Sequence, residues 1–134
     1  MDLAKHPLID LEQRVVGVAA DHGFKLTHLV KYRCELEHPE SHVVVYLNRQ
    51  RALSNVIAVA VHPETDLVPL CKVPGLAVEP RLRHGSNLRR FPKRLNTGIE
   101  PITYGYSVEC ADLSAFGRLL HELTTGGALA LSAY

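Results

Sequence analysis

The chain has 134 residues, 46% hydrophobic and 22% charged, with a formal net charge of +1. That length suits one domain spanning residues 1–134, able to bury a core of its own. The near-neutral balance excludes a uniformly basic or acidic protein, and no apolar run approaches the roughly 20 residues that a membrane span needs.

Cysteine usage and the leading residues bear on compartment. Cys34, Cys71 and Cys110 are far apart, odd in number and without a CxxC pair. That is no disulfide framework and suits a reducing environment, with each thiol expected to be buried in or beside an apolar run. The stretch MDLAKHPLIDLEQ has no basic region followed by an apolar one, so no signal peptide is expected and the cytoplasm is the expected location. Eight histidines should make net charge climb as pH falls below about 6.5.

The spacing of Leu8, Leu11, Val15, Val18 and Ala19 predicts an amphipathic helix over Leu8–Ala20, with Pro7 in its first turn and Gly23 as a left-handed cap. Alternation over Val30–Leu36 predicts a strand with one wet face. A turn at Glu37–Ser41 leads to a β-branched strand, His42–Leu47, and then to a polar connection, Asn48–Arg51. Val56–Val61 is nearly all apolar, which predicts a central strand covered on both faces and stopped by His62-Pro63. Residues 64–79 are apolar but cut by prolines, and read as loop with one edge segment. Ile102–Val108 restores strand chemistry, with Gly105 between Tyr104 and Tyr106 where another backbone can approach closely. Asp112 then caps a second amphipathic helix carrying Leu113, Phe116, Leu120 and Leu123, ended by Thr124–Gly127. The tail, residues 126–134, is read as frayed or docked on the body. The expected architecture is α+β. It has two layers: a mainly antiparallel sheet of about four strands, with an N-terminal and a C-terminal helix on one face.

A long basic segment precedes the last strand. Between Glu79 and Glu100 the window Pro80–Gly98 holds Arg81, Arg83, Arg89, Arg90, Lys93 and Arg94 and no acid, while the remainder carries 9 bases against 14 acids. Its prolines, glycines, Ser86, Asn87, Asn96 and Thr97 are loop chemistry. A cluster of guanidinium groups repels itself unless it faces water or an anion. Two readings compete. In one, the loop is solvated and its arginines pair with acids elsewhere in the fold. In the other, it holds a polyanion.

The run Tyr46-Leu47-Asn48-Arg49, the strand ending Val61-His62-Pro63, Phe91-Pro92 and Tyr104-Gly105 stand in that order between two amphipathic helices. In this the chain resembles a family of small uncharacterised bacterial proteins typified by the enterobacterial protein YgaC. The likeness runs from the first helix to about Leu123 and rests on the order of short motifs. The basic window is longer and richer in arginine here. The resemblance implies a compact cytosolic α/β domain and brings no catalytic residues.

Other chemistry is weakly supported. Cys34, His38, His42 and His62 do not have the spacing of a zinc finger, and Pro39 breaks any helix between them, so no metal is expected. Ser86 in His84-Gly85-Ser86-Asn87 lacks the strand–turn–helix context of a nucleophile elbow. Glu35 and Glu37 share a strand face and read as solvent-facing. No phosphate-binding glycine loop is present, and no cofactor is expected.

Nucleic acid is the leading partner. Arg81, Arg83, Arg89, Arg90, Lys93 and Arg94 are expected to engage phosphates, Asn87 a base edge and Phe91 a base face. Phe91 has a competing role, since one aromatic in so long a loop commonly anchors it to the core. Arg49 and Arg51 extend the track if the fold brings them near. The expected function is therefore non-enzymatic polyanion binding. One alternative is a small enzyme in which Asn48, His62 and His84 converge on a pocket and arginines hold a phosphorylated substrate. The other is an interaction module that docks an acidic partner or forms a homodimer through a sheet edge.

Overall fold

The computed structural model describes residues 5–85, 87–95 and 100–125. Ser86, Asn96, Thr97, Gly98 and the tail from Gly126 lie outside those residues.

Helix α1 (Asp10–Asp21) opens with the Glu12 carboxylate accepting the Ile9 N–H at 2.9 Å. Pro7 precedes that turn instead of forming it. At the other end Gly23 takes φ +82°, and the Gly23 and Phe24 N–H groups reach the carbonyls of Ala20 and Ala19 at 3.0 and 2.9 Å. This satisfies the last helical carbonyls in the way a left-handed glycine cap allows.

The alternating run Val30–Leu36 is not one strand. Strands β1 (Lys25–Leu29) and β2 (Arg33–Glu37) form an antiparallel hairpin, turned by Val30, Lys31 and Tyr32 and closed by the Val30 N–H on Arg33 C=O at 3.1 Å. Strand β3 (Val44–Asn48) follows, then helix α2 (Arg49–Ala52), whose Arg51 N–H is capped by the Asn48 side chain at 3.1 Å, then β4 (Ile57–Val61). The proline-cut stretch folds as helix α3 (Leu67–Cys71) and edge strand β5 (Leu76–Val78). Pro69 sits in the first turn of α3, where its missing N–H leaves no helical bond unmade. Two-residue strands β6 (Arg83–His84) and β7 (Lys93–Arg94) flank β8 (Ile102–Cys110), and α4 (Leu113–Thr125) closes the fold. Asp112 caps α4 by accepting the Ala115 N–H at 2.8 Å.

The sheet has eight strands in the order β1-β2-β3-β4-β8-β5, with β6 and β7 also paired to β8, and every pair is antiparallel. The α+β class stands, and the expected strand number of about four is corrected. One extra strand was hidden in the first hairpin. Strands β5, β6 and β7 span two or three residues each, too short to show a period of two.

Alternation sorts side chains onto two faces. Leu36, Val45, Leu47, Val59, Val61 and Val108 pack under Val15 and Ala19 of α1 and Phe116, Leu119, Leu120 and Leu123 of α4. The opposite face carries a second apolar cluster of Val44, Tyr46, Leu88 and Phe91. Strand β4 is central and buried at every residue but the half-buried Ala60, close to what its apolar run predicts. No helix among the described residues is long and apolar enough to cross a membrane.

The basic segment is therefore not a free loop. It leaves one edge of β8 at β6, where the Gly85 N–H meets Thr103 C=O at 2.9 Å. It then crosses the sheet through Leu88 and Phe91, both buried. It rejoins β8 on the other edge at β7, where the Tyr104 N–H meets Pro92 C=O at 3.2 Å. It makes a partial third layer on a face that the sequence pattern presents as wet.

Candidate functional site

What fastens this segment is a buried carboxylate. Glu35 is 1% exposed, which corrects its reading as solvent-facing. Arg89 grips it with two parallel hydrogen bonds of 2.9 Å, Tyr46 Oη donates to it at 2.7 Å and Thr27 Oγ1 at 2.7 Å. Burial alone raises a carboxyl pKa. Here the bonds from Arg89, Tyr46 and Thr27, with the Arg89 charge, more than offset that and hold Glu35 down at about 2. Tyr46 Oη in turn accepts the Arg90 N–H at 2.9 Å, and Arg90 pairs with Glu37 at 3.2–3.3 Å. Burial, with the Glu35 bond second, pushes the Tyr46 hydroxyl pKa up.

A second buried pair ties α1 and the residues just before it to the sheet. Arg49 donates to Glu12 at 2.6 and 3.2 Å and to the carbonyls of Val30 and Pro7 at 2.9 Å each. Its guanidinium is thereby spent inside the fold, and Arg49 does not extend a basic track.

The predicted binding residues divide. Arg83 pairs with Glu79 at 2.5 Å, Arg89 with Glu35, and Arg90 with Glu37. Phe91 is 4% exposed and meets Tyr46 edge-on at 5.0 Å between centroids, so it anchors the segment and presents no face to a base. Arg81, Lys93 and Arg94 are exposed and have no carboxylate partner among the described residues. Arg94 lies 4.7 Å over the Tyr104 ring and donates to His84 Nε2 at 3.1 Å. Asn87 is half-buried beside Leu88.

The enzyme alternative needs Asn48, His62 and His84 together. Asn48 and His84 line one cleft of about 240 Å³, but His62 does not. His62 lies buried 5.4 Å from the Phe91 ring, its Nδ1 accepting the Glu64 N–H at 3.1 Å, and burial lowers its pKa. The metal candidates are dispersed too. Cys34 is in the core, His38 bonds Ser41 at 2.8 Å, and His42 takes φ +64° in the same turn. Among the described residues no group of three His, Cys, Asp or Glu is placed to hold a metal. Cys34 and Cys110 are buried, and burial pushes both thiols up to about 12, whereas Cys71 is exposed at the end of α3, against expectation.

The cleft itself was not anticipated as a unit. It occupies the part of the sheet face that the crossing segment leaves uncovered. Ala58, Ala60, Gly105 and Ser107 line it together with Arg33, Arg51 and Arg83. Arg33 reads in the sequence as one more wet-face residue of an alternating run, and nothing local marks it as part of a cleft. A larger apolar groove of about 840 Å³ lies on the helical side, between α1, α4 and the end of α3. Strand β1 stands at one end of the sheet, and its pairing with β2 shifts register between Leu26 and His28.

No family profile matches the chain, and no curated protein matches it. The motif residues behind the resemblance have identifiable structural work. Tyr46 bonds Glu35, Asn48 caps α2, Arg49 pairs with Glu12, and His62 packs on Phe91. At Gly105 a Cβ would stand 2.5 Å from the Val61 carbonyl oxygen and 3.2 Å from the Phe91 ring.

Proposed function

We propose that this is a non-enzymatic, cytoplasmic polyanion-binding protein, of the small bacterial kind its motifs resemble, with nucleic acid as the polyanion. The observation that carries the reading is the set Arg81, Lys93 and Arg94, exposed on the basic segment without carboxylate partners among the described residues. Phosphates supply the missing counter-charge, and the released counterions supply the free energy. Arg89 and Arg90 hold the segment in place, and Phe91 roots it, so the surface is presented on a fixed backbone. Arg94 over Tyr104 and beside His84 gives one end of the strip a planar cationic group suited to phosphate. The exposed thiol of Cys71 accords with a reducing compartment.

The test is fluorescence-anisotropy titration of labelled single- and double-stranded DNA and RNA at two salt concentrations. The control is the triple variant Arg81→Ala, Lys93→Ala, Arg94→Ala. Arg89 and Arg90 are left alone, because removing them loosens the fold itself. Binding that weakens steeply with salt and is much weaker in the triple variant is the expected result. Salt-insensitive binding, or none at about 50 mM salt, overturns the reading.

A further inference from the structure

Three arginines reach the uncovered part of the sheet face from three different elements. Arg33 comes from β2, Arg51 from α2 and Arg83 from β6, and they line the same cleft of about 240 Å³. The sheet beneath them is made of small residues, Ala58, Ala60, Gly105 and Ser107. Large side chains there would have filled the space, as Leu88 and Phe91 fill the neighbouring part over Val44 and Tyr46.

The charges do not cancel. Arg51 pairs with Glu109, and Arg83 with Glu79, which itself lines the cleft, so the excess positive charge there is that of Arg33. Arg33 is half-buried, donates one bond to the Tyr32 carbonyl at 2.8 Å, and has no carboxylate partner among the described residues. It reaches the crossing segment, since a Cβ on Gly85 would stand 3.7 Å from its Nη2. A guanidinium carries five N–H donors, so Arg51 and Arg83 keep donors to spare beyond their glutamates. Asn48 accepts from Arg51 N through Oδ1, which leaves its amide hydrogens to donate, and the Ser107 hydroxyl lies among the same lining groups.

We infer that this cleft is a binding site for one phosphate-type dianion, the terminal phosphate of a phosphomonoester, with Arg33 as the anchoring charge and Arg51 and Arg83 closing on it from either side. A carboxylate would occupy one guanidinium edge. Three guanidinium groups around a small floor offer donors to the three terminal oxygens of such a phosphate. The volume, about 240 Å³, lies below the roughly 300–1,000 Å³ of drug-sized ligand sites and suits the phosphate with a few further atoms. None of Arg81, Lys93 and Arg94 lines the cleft, although Arg94 bonds His84 at its border, so the site stands or falls without them. The phosphate can belong to a free small molecule or to the phosphorylated end of a nucleic-acid strand.

Calorimetric titration of the full chain decides it, with inorganic phosphate, glycerol phosphate and a short oligonucleotide with and without a 5′-phosphate. The variants are Arg33→Gln, which removes the anchoring charge, and Ser107→Leu, which fills the cleft and keeps every charge. Circular dichroism checks that each is folded. The wild type should bind inorganic phosphate saturably, and each folded variant should lose at least about tenfold in affinity, equivalent to about 1.4 kcal/mol. Tighter binding of glycerol phosphate points to a free ligand. A preference for the 5′-phosphorylated strand that Ser107→Leu abolishes points to a strand end. No saturable binding up to about 10 mM, or equal affinity in the wild type and a folded variant of either kind, overturns the site.

Discussion

Arg89 and Glu35 stand 54 residues apart in sequence and meet through two parallel hydrogen bonds of 2.9 Å, the arginine side chain half exposed and the carboxylate 1% exposed. The pair is asymmetric, so its two deletions should differ. Arg89→Ala leaves a carboxylate buried with only Tyr46 and Thr27 to hold it, and should cost about 2–4 kcal/mol. Glu35→Gln leaves an arginine that can swing into water, and should cost about 1–2 kcal/mol. Urea denaturation at pH 7 checks the order. Equal costs would mean that Glu35 is reached by water in solution.

The same carboxylate sets an acid limit. Its folded pKa of about 2 lies below the unfolded value near 4.5, so its contribution is complete above about pH 5 and is lost as pH falls toward 2. A shift of that size corresponds to about 3 kcal/mol as an upper bound. Wild type should therefore lose stability between pH 5 and 2.5 faster than Glu35→Gln, which has no carboxyl to protonate at that site. Parallel acid profiles for the two proteins would remove Glu35 as the cause.

Gly105 is where strand β8 runs closest to its neighbours. Gly105→Ala would place a methyl 2.5 Å from the Val61 carbonyl oxygen, a backbone atom that cannot turn aside. The expected cost is about 2 kcal/mol or more, a drop in Tm of roughly 5–10 °C for a domain of this size. The loss should also loosen the basic segment, because the same methyl meets the Phe91 ring at 3.2 Å. Differential scanning calorimetry gives the first number, and limited proteolysis near Arg89 the second. A Tm unchanged within about 1 °C speaks against the close approach.

Long periodic elements were legible in the sequence because their pattern is local. The two helices, the Gly23 cap, β3, β4 and β8 follow from spacing alone, and so does the close approach at Gly105. The first hairpin was hidden because Val30-Lys31-Tyr32 continues the alternation and holds no turn former. The basic segment was legible in part: pairing of its arginines with acids was one of the two readings, and Glu79 flanks it in sequence, but Glu35 and Glu37 lie on β2, and a run of arginines carries no mark of which distant acids it will meet. For the same reason Glu35 looked solvent-facing: the layer that buries it comes from the far end of the chain. Phe91 as an anchor was weighed from loop length, whereas the cleft of Arg33, Arg51 and Arg83 needs three elements to be folded before it exists.

The three thiols should separate cleanly. Cys71 is exposed, while Cys34 and Cys110 are buried with thiols pushed up to about 12. The thiolate is the reactive form, and both burial and a raised pKa suppress it. A water-soluble disulfide reagent at pH 7.5 should therefore modify one thiol in the native protein and three after unfolding, with mass spectrometry placing the native adduct on Cys71. Rapid modification of Cys34 would mean that α1 and α4 open readily from the sheet.

The salt dependence of nucleic-acid binding should count the available cations. If Arg89 and Arg90 are committed to Glu35 and Glu37, they release few counterions on binding, whereas Arg81, Lys93 and Arg94 each release about one. The triple alanine variant should reduce the slope of log K against log salt by about 2–3, taking about 0.7–0.9 per phosphate contact. Arg89→Lys offers the contrast. It keeps the charge but loses the parallel fork on Glu35, so it should lower stability and leave the salt slope nearly unchanged. A slope that falls with Arg89→Lys as much as with the triple variant would mean that Arg89 leaves Glu35 for phosphate when nucleic acid binds.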